Sequence, residues 1–531
     1  MSAWKRRRFC VVSLVVFWAL VVSAVASVTP RNLTLLAKIT GPGSINQTDT
    51  KYQVMGTDLG IMWDSGQGQV MMVFGDTYGR GWGGDGGGPD TADWRCNILA
   101  LSSDRNPDDG LNFDTMIQDM PGRAKQFLDC KQINHNEKTV IPTAGVTVGS
   151  RHYIHYMSVN HWGPPGRWYT NYSGMAYSDD EGENWIKDPN VRWINDATWS
   201  NRFQMAAFVK DGGYVYMFGT PNGRFGNAYL VRVPENSILN KSAYQYWDGA
   251  TWQTGHEAAA APIVIAPVAE LSVQYNSHFR RWIMTYFDDP RAAIILRDSP
   301  SLTGPWTGQK ILVKGSDYPA LYGGYIHPGF NDRDKVYFAM SQWKPYNVFF
   351  MRAQLTLDKL GGNILSDPGF EDQPGSSVSA PWVRGENGAI GIDRDLGYAL
   401  SGSNNAYLRA TSGFQNIYQD IAVMPNRNYR LTGWVKTSPA LRDGYFGVRP
   451  TNDAAPFAEV RYGSSVGTPS DVYKQLTVDF NSGARTSVRV FVGMSGPGSD
   501  AFAQIDQLAV NLSSNRNRSR LKWGRRKVAQ P

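Results

Sequence analysis

The chain has 531 residues, more than one hydrophobic core usually supports, so its length predicts two or three domains. The formal net charge of +7 is concentrated at the ends: four basic residues precede residue 9, seven follow residue 515, and the rest carries about −4. This mildly acidic body disfavours nucleic acid as a partner. Residues 513–531 predict a basic, disordered tail, either solvated or in contact with an anionic cell envelope.

The amino-terminal residues predict export. Basic residues at 5–8 precede an apolar run over 9–22, and small residues follow at 24–26. This pattern is typical of a signal peptide over residues 1–26, cleaved after Ala26. The run of about 14 residues is shorter than the ~20 needed to cross a bilayer, and no second run of that length follows. We therefore expect a secreted, extracellular protein without stable membrane insertion.

Two cysteines, Cys96 and Cys130, remain after removal of the signal segment. In an oxidising compartment they form one disulfide or stay as two free thiols. Neither lies in a Cys-x-x-Cys or histidine-rich segment, so no structural zinc site is indicated.

Short runs of β-branched and aromatic residues recur along the first two thirds of the chain, and long helical periodicity is rare. Five of these runs begin roughly 55 to 85 residues apart, at residues 70–74, 153–157, 214–218, 282–286 and 336–340. Such spacing is typical of propeller blades. The pattern Ser178-x-Asp180-x-Gly182-x-x-Trp185 fits the Asp box, a structural turn of β-propellers. We expect an all-β chain with a five-bladed β-propeller over residues 35–357.

A second domain is predicted over residues 363–512. It begins with Asn-Ile-Leu-Ser-Asp-Pro-Gly-Phe-Glu and ends with the strand Ala-Gln-Ile-Asp-Gln-Leu-Ala-Val. Both segments resemble those of jelly-roll carbohydrate-binding modules. The resemblance implies a β-sandwich in which Glu371 and Asp506 help to hold a structural calcium ion. The alternative is that both are ordinary surface or turn carboxylates.

Two aspartates in the first predicted blade are candidates for acid–base chemistry. Asp58 lies in Gly-Thr-Asp-Leu-Gly, and Asp76 ends an apolar strand in Phe-Gly-Asp-Thr. Two adjacent antiparallel strands can bring both carboxylates to one end of a blade. Cleavage of a glycosidic bond needs one acid to protonate the leaving oxygen and one carboxylate to activate water. Because Asp beside Gly often only caps a turn, the spacing alone leaves the choice open.

Three further motifs accompany these two: Trp-Arg-Cys-Asn at 94–97, Thr-Val-Ile-Pro-Thr at 139–143 and Phe-Gln-Met-Ala at 203–206. Together the five motifs resemble the domain of unknown function 4185, grouped as glycoside hydrolase family 183. The resemblance implies an endo-D-arabinanase acting on mycobacterial arabinogalactan and lipoarabinomannan. It also implies inverting hydrolysis by Asp58 and Asp76, with no cofactor required for catalysis. Inverting pairs stand about 6.5 to 9.5 Å apart. Which aspartate is the acid stays open.

Further polar residues are predicted to bind the polysaccharide, because they lie in or beside inner-strand positions or in the motifs above. They are Arg95, Asn97, Glu137, Asn160, Asn222, Glu270, Asn276, Tyr322 and His327. Arg95 serves as a charged partner of the acidic pair or, alternatively, as a blade-edge arginine. Trp162, Trp168 and Tyr322 are candidates for stacking on sugar rings, although most aromatic residues in a propeller pack between blades.

Three other functions compete with this prediction. A sialidase would share the propeller and the Asp box, but it needs an arginine triad that begins with an Arg-Ile-Pro type motif, which the sequence lacks. A furanosidase acting on another sugar, such as L-arabinan or fructan, stays open. So does a non-catalytic, lectin-like envelope protein.

Overall fold

The computed structural model describes residues 27–357, 363–385, 388–452 and 455–513. The predicted signal peptide, and the predicted basic tail apart from Ser513, lie outside these ranges. Within them the only α-helix is Thr48–Tyr52, and short 3₁₀ turns occur at Pro107–Asp109, Glu235–Ser237, Lys241–Ala243, Glu257–Ala259 and Ser464–Val466. The prediction of an all-β chain is confirmed. No helix of the described ranges is long and apolar enough to span a membrane.

Five antiparallel sheets follow one another along the first domain. Sheet 1 contains Leu59–Asp64, Val70–Phe74, Ile98–Ser102 and Thr115–Met116. Sheet 2 contains Thr139–Val148, Arg151–Trp162, Trp168–Ser178 and Ile186–Ile194. Sheet 3 contains Met205–Asp211, Tyr214–Thr220, Ala228–Pro234, Gln245–Trp247, Trp252–Thr254 and Pro262–Val264.

The remaining two sheets complete this domain. Sheet 4 contains Ala269–Asn276, Arg281–Asp288, Ala293–Ser299 and Lys310–Lys314. Sheet 5 contains Leu321–Ile326, Lys335–Gln342, Asn347–Leu357 and Val28–Lys38. Two small ladders, Thr77–Tyr78 with Trp94–Arg95 and Gln118–Met120 with Arg123–Ala124, lie outside the sheets.

The amino-terminal strand closes the ring of sheets. Val28–Lys38 pairs antiparallel with Asn347–Leu357, with Val28 opposite Leu357. The last sheet is therefore built from both ends of the domain, a device that avoids an open edge. This strand begins before residue 35, so the first domain extends to Val28.

The first strands of the five sheets surround a common axis and contact one another in sequence, from sheet 1 round to sheet 5 and back. Their first residues line a large cavity at one end of the axis, and their last residues line a smaller cavity at the other end. Buried apolar residues between the two ends, such as Ile61, Ile141 and Met205, form the main core. A polar residue at the start of one of these strands therefore faces the large cavity.

The second domain has two five-stranded antiparallel sheets around a core of its own. Sheet 6 contains Val383–Arg384, Phe414–Ala422, Ser487–Ser495, Asp443–Arg449 and Ala458–Tyr462. Sheet 7 contains Ala389–Arg394, Asn404–Ala410, Ala501–Leu512, Asn428–Thr437 and Lys474–Asn481. The main core of the first domain extends to Leu355, and the core of the second domain begins at Leu365, so the two clusters of buried residues are separate along the chain.

Candidate active site

The large cavity at the start of the inner strands has a volume of about 720 Å³. Both aspartates singled out in the sequence line it. The aromatic and charged residues in its wall include Asp58, Asp76, Tyr78, Asp90, Trp94, Lys138, Trp162, Trp168, Arg224, Glu270, Phe287, Asp289, Tyr322, Trp343 and Tyr346. Aromatic walls with a few convergent polar groups are typical of a small-molecule binding site.

Asp58 stands where the inner strand of sheet 1 begins. Leu59, the next residue, has a left-handed backbone with φ of 69°, and the pairing register shifts just after it. Such bulges re-aim side chains next to active sites. The Oδ2 atom of Asp58 accepts a hydrogen bond of 2.9 Å from the Tyr322 hydroxyl, whereas its Oδ1 atom is buried without a hydrogen-bond partner among the described residues.

The environment of Asp58 favours the protonated carboxyl. Burial raises its pKa to about 7, and the nearby Asp76 carboxylate adds to the effect. The hydrogen bond from Tyr322 acts in the opposite direction. A carboxyl with a pKa near neutrality is suited to donate a proton at neutral pH.

Asp76 is almost completely buried, with 7% of its surface exposed. Its Oδ1 atom accepts hydrogen bonds from Trp94 Nε1 at 2.9 Å and from Thr139 Oγ1 at 2.6 Å. Burial raises the pKa of Asp76 to about 6, and these two hydrogen bonds limit the rise because they stabilise the ionised form. Asp76 therefore ionises more readily than Asp58.

Short-range pairing holds the two aspartates on one wall. Gly56 and Tyr78 form an isolated antiparallel bridge, and the Thr57 and Thr77 hydroxyls lie 2.7 Å apart. These contacts align the chain segments before Asp58 and after Asp76. The absence of a side chain at Gly75 is also required, because a Cβ atom there would lie 2.5 Å from Asp58 Oδ1.

A partly buried group of three charged residues occupies another part of the cavity wall. Arg224 contacts Glu270 Oε1 at 2.8 Å and Asp289 Oδ1 at 3.3 Å. Its guanidinium group also lies 5.0–5.8 Å from the ring centres of Trp168, Phe287 and Tyr322.

Glu270 is strained and only partly satisfied. Its φ is 32°, its side chain is 6% exposed, and no hydrogen-bond partner of its buried Oε2 atom lies in the part of the chain that the structure describes. Unusual backbone geometry of this kind is concentrated at functional sites.

Of the predicted sugar-contacting residues, Glu270, Tyr322, Trp162 and Trp168 line the cavity. Arg224, Asp289 and Tyr346 also line it but were not predicted. Arg224 lies in the loop 221–227, two residues after the predicted Asn222, and Asp289 directly follows a strand, so their only sequence signal is a place in a loop after a strand.

Arg95 and Asn97 lie behind the cavity wall. Arg95 is 1% exposed, forms an ion pair with Asp93 at 3.5 Å and donates hydrogen bonds to the carbonyl oxygens of Tyr52, Gln53 and Ala124. Asn97 Nδ2 donates to two backbone carbonyl groups, and its Oδ1 accepts from two backbone N–H groups. Both side chains are thus engaged in holding loops together, which corrects their predicted contact with substrate.

Three more predicted residues lie beside the cavity without lining it. Glu137 accepts a hydrogen bond from Ser158, and Asn160 bonds to Asn171. Asn222 Nδ2 donates to the carbonyl oxygen of Trp168 and so supports the cavity wall indirectly.

Asn276 and His327 lie toward the opposite end of the axis, beside a small void. Asn276 bonds to backbone groups of Arg333 and Phe279. His327 Nδ1 accepts a hydrogen bond from Gly329 N, and burial lowers its pKa to about 4. Because strands cross the domain from end to end, a polar residue at a strand's far end cannot reach the cavity.

Cys96 and Cys130 form a disulfide, with their Cα atoms 6.5 Å apart. Trp94 and Thr139, which both bond to Asp76, flank the two cysteines in the sequence. The disulfide therefore connects the two segments that position Asp76.

Glu371 and Asp506 bind backbone N–H groups of one loop. Glu371 accepts from Ser403 and Asn404, and Asp506 accepts from Leu400 and Ser401. Among the described residues no three His, Cys, Asp or Glu side chains are grouped as metal ligands. Both carboxylates are therefore engaged by backbone N–H groups of the described residues, and no bound ion is needed to explain their positions. The calcium ion stays a prediction.

The fold and the site together define a class of protein: a closed ring of antiparallel sheets with an aspartate pair in an axial cavity. A family model described as "Domain of unknown function (DUF4185)" matches residues 43–352. The chain belongs to this family.

Two fungal relatives have been curated. "Notoamide biosynthesis cluster protein J" of Aspergillus sp. (strain MF297-2) is 31% identical over 320 residues, which cover 57% of this chain and 83% of the relative. "Notoamide biosynthesis cluster protein J'" of Aspergillus versicolor is 30% identical over 317 residues, which cover 57% and 84%.

Among solved structures, an exo-beta-1,3-galactanase from Phanerochaete chrysosporium matches with a TM-score of 0.37 and 11% identity, covering 90% of this chain and all of that one. A glycoside hydrolase family 43 arabinoxylan arabinofuranohydrolase from Bacillus subtilis matches with a TM-score of 0.34 and 12% identity, covering 90% and 99%.

Proposed function

We propose that the chain is a secreted, inverting glycoside hydrolase that cleaves α-D-arabinofuranosidic linkages within the D-arabinan of mycobacterial arabinogalactan and lipoarabinomannan. The observation that carries this proposal is the pair of carboxyl groups in one cavity, Asp58 with a pKa raised to about 7 and Asp76 with a pKa raised to about 6. We interpret the five sheets as the blades of a five-bladed propeller and the second domain as a jelly-roll β-sandwich.

The different environments of the two aspartates support different roles. Asp58 is the general acid, because burial and its negatively charged neighbour keep it protonated. Asp76 is the general base, because Trp94 and Thr139 both donate to its carboxylate. Since the two groups interact, the two pKa values belong to the pair as a unit.

The reaction then needs only these two groups and water. Asp76 takes a proton from a water molecule, whose oxygen forms a bond to the anomeric carbon. The bond between that carbon and the leaving oxygen breaks, and Asp58 gives its proton to the leaving oxygen. Asp58 ends ionised and Asp76 protonated, and exchange of one proton with solvent restores the starting state.

The rest of the cavity supports a neutral sugar as substrate. Arg224 is shared between two carboxylates, so its charge is already balanced by Glu270 and Asp289. An anionic sugar would bring a further negative charge to a cavity that already holds several acids, which is unfavourable. The unpartnered Glu270 Oε2 is suited to accept a hydrogen bond from a sugar hydroxyl.

The preference for D-arabinan and the internal position of the cut depend on the resemblance of the first-sheet motifs to glycoside hydrolase family 183. Action outside the cell is supported by the disulfide, because such bonds persist in oxidising compartments.

The test is to incubate the mature protein with mycobacterial arabinogalactan, with α-L-arabinan and with fructan, and to size the products. We expect oligosaccharides from arabinogalactan, and NMR spectra of the first products should show the inverted anomer. Release from α-L-arabinan or fructan alone would identify a furanosidase for another sugar. Retained binding of arabinogalactan without release from any polymer would identify a lectin.

A further inference from the structure

The hairpin formed by strands Arg151–Trp162 and Trp168–Ser178 carries aromatic residues on both of its faces near its tip, which lies beside the cavity. Trp162 is paired with Trp168, and both line the cavity. The neighbouring pair, His161 opposite Tyr169, is absent from the cavity lining. Because successive residues of a strand point to opposite faces, this second pair faces away from the cavity.

Four aromatic residues form a connected group on that outer face, which we name the outer ring cluster: His135, His161, Tyr169 and Trp199. The ring centres of His161 and Tyr169 lie 4.5 Å apart in a stacked arrangement. His135 lies 4.5 Å from His161, and Trp199 lies 5.3 Å from Tyr169. None of the four is buried, and His135 is exposed.

The backbone of Trp199 is unusual for such a side chain. Its φ of 57° lies in the left-handed region that bulky residues rarely adopt. The turn that presents Trp199 is held by a hydrogen bond of 3.2 Å from its N–H to the Asp196 carbonyl oxygen. Thr198 adds two hydrogen bonds to the Asp196 carboxylate. Core packing does not explain this strain, because the Trp199 ring remains partly exposed to solvent.

Amide side chains stand beside the rings. Asn160 Oδ1 lies 2.8 Å from His161 Nδ1, and Asn160 Nδ2 donates to Asn171 Oδ1 at 2.8 Å. Both asparagines are only partly buried. Aromatic faces with neighbouring amides match a ligand that has C–H faces for stacking and hydroxyl groups for hydrogen bonding. A sugar chain has both features.

We propose that the outer ring cluster is a second glycan-binding subsite, which holds a distal part of the polysaccharide whose scissile bond lies in the cavity. This inference rests on the proposed function. The two faces belong to one hairpin, whose tip at residues 163–167 also borders the cavity. A chain that leaves the cavity past Trp162 reaches the outer ring cluster by crossing this tip. Such a subsite favours long chains over short fragments.

The test compares Trp199→Ala with the wild type on two substrates: D-arabinan polymer and a D-arabinan fragment short enough to occupy only the cavity. We expect KM for the polymer to rise about ten-fold, the change that a lost contact of ~1.4 kcal/mol produces. Turnover of the short fragment should stay unchanged. Trp199→Phe, which keeps an aromatic ring, should recover most of the affinity.

Tyr275→Ala is the matched control, since Tyr275 is an aromatic residue with 38% exposure that lines the opposite cavity. His135→Ala tests the same cluster if Trp199→Ala fails to fold, as judged by thermal melting. Tyr275→Ala should leave both substrates unaffected. Equal effects of Trp199→Ala on polymer and fragment, or no effect on either, would overturn the proposal, and the same holds for His135→Ala where it replaces Trp199→Ala.

Binding is also measured without turnover, by retardation in a gel that contains D-arabinan. The Asp58→Asn variant should be retarded. The double variant that carries Asp58→Asn and Trp199→Ala should lose most of this retardation. If the wild type cleaves nothing but this difference is seen, the proposed hydrolysis fails and the subsite stands. Equal retardation of the single and double variants would reject the subsite.

Discussion

Replacing Thr139 with valine removes one of the two hydrogen bonds that keep Asp76 ionised. The Thr139 hydroxyl lies 2.6 Å from Asp76 Oδ1 inside a buried wall, and valine keeps the branched shape that the strand requires. A hydrogen bond to a charged group contributes about 1.5–3 kcal/mol, and 1.36 kcal/mol corresponds to roughly one pKa unit. Because Trp94 still donates to the same oxygen, we take the lower end and expect a rise of about one unit.

The sign follows from the role of the group. Burial raises the pKa of Asp76 to about 6, and the hydrogen bond from Thr139 opposes that rise. Without the hydroxyl, the base stays protonated to higher pH, so the acidic limb of the kcat/KM profile moves upward. Near pH 5, where activity is proportional to the ionised fraction, kcat/KM should fall about ten-fold.

The assay is the release of reducing ends from soluble D-arabinan between pH 4.5 and pH 9. Thr220→Val is the matched control, because the buried Thr220 hydroxyl has no hydrogen-bond partner within the described ranges and its loss should leave the profile unchanged. An acidic limb that does not move in Thr139→Val, with wild-type thermal stability, would refute Asp76 as the base.

Three further predictions concern the same groups and the second domain. The pKa of Asp58 is higher in the folded state than its ordinary value of 3.8, so the fold loses stability as pH rises from about 4 to 7. Asp58→Asn should therefore be inactive but melt ~2 °C higher than the wild type at pH 8 in calorimetry, and a lower melting temperature would contradict this reasoning. Gly75→Ala would place a Cβ atom 2.5 Å from Asp58 Oδ1, so kcat should fall ~100-fold. Gly83→Ala, whose added Cβ atom would meet no described atom within 4 Å, should match the wild type, and equal activities of the two variants would show that the Asp58 carboxyl tolerates displacement. Treatment with EDTA should leave the melting temperature of the second domain unchanged, because Glu371 and Asp506 already bind backbone N–H groups, and a drop reversed by Ca²⁺ would instead establish the calcium site.

Sequence patterns were most informative where a motif fixed both the residue and its local geometry. The short turn Phe-Gly-Asp-Thr predicts that Asp76 ends an apolar strand, and Gly-Thr-Asp-Leu-Gly predicts that Asp58 lies in the neighbouring inner strand, which begins one residue later in the structure. Both are therefore expected at the same end of sheet 1. The repeated apolar runs predicted the all-β fold for the same reason, since period and spacing are local properties of the chain.

Residues whose place depends on strand direction were less predictable. Asn276 lies at the last position of its inner strand and Glu270 near the first, but apolar periodicity does not distinguish the two ends. Arg95 has the charge expected of an active-site residue, yet its carbonyl partners come from loops more than 25 residues away in the chain. Arg224 was missed because its partners, Glu270 and Asp289, are brought to it only by the ring of sheets.

The most direct test of the central claim is oligosaccharide release from mycobacterial arabinogalactan by the wild type, Asp58→Asn and Asp76→Asn under identical conditions. If the two carboxyl groups act as acid and base, the wild type releases oligosaccharides and each variant loses at least about 100-fold of that activity, while both variants still bind the polymer. Substantial release by either variant would contradict the assignment of the reaction to this aspartate pair.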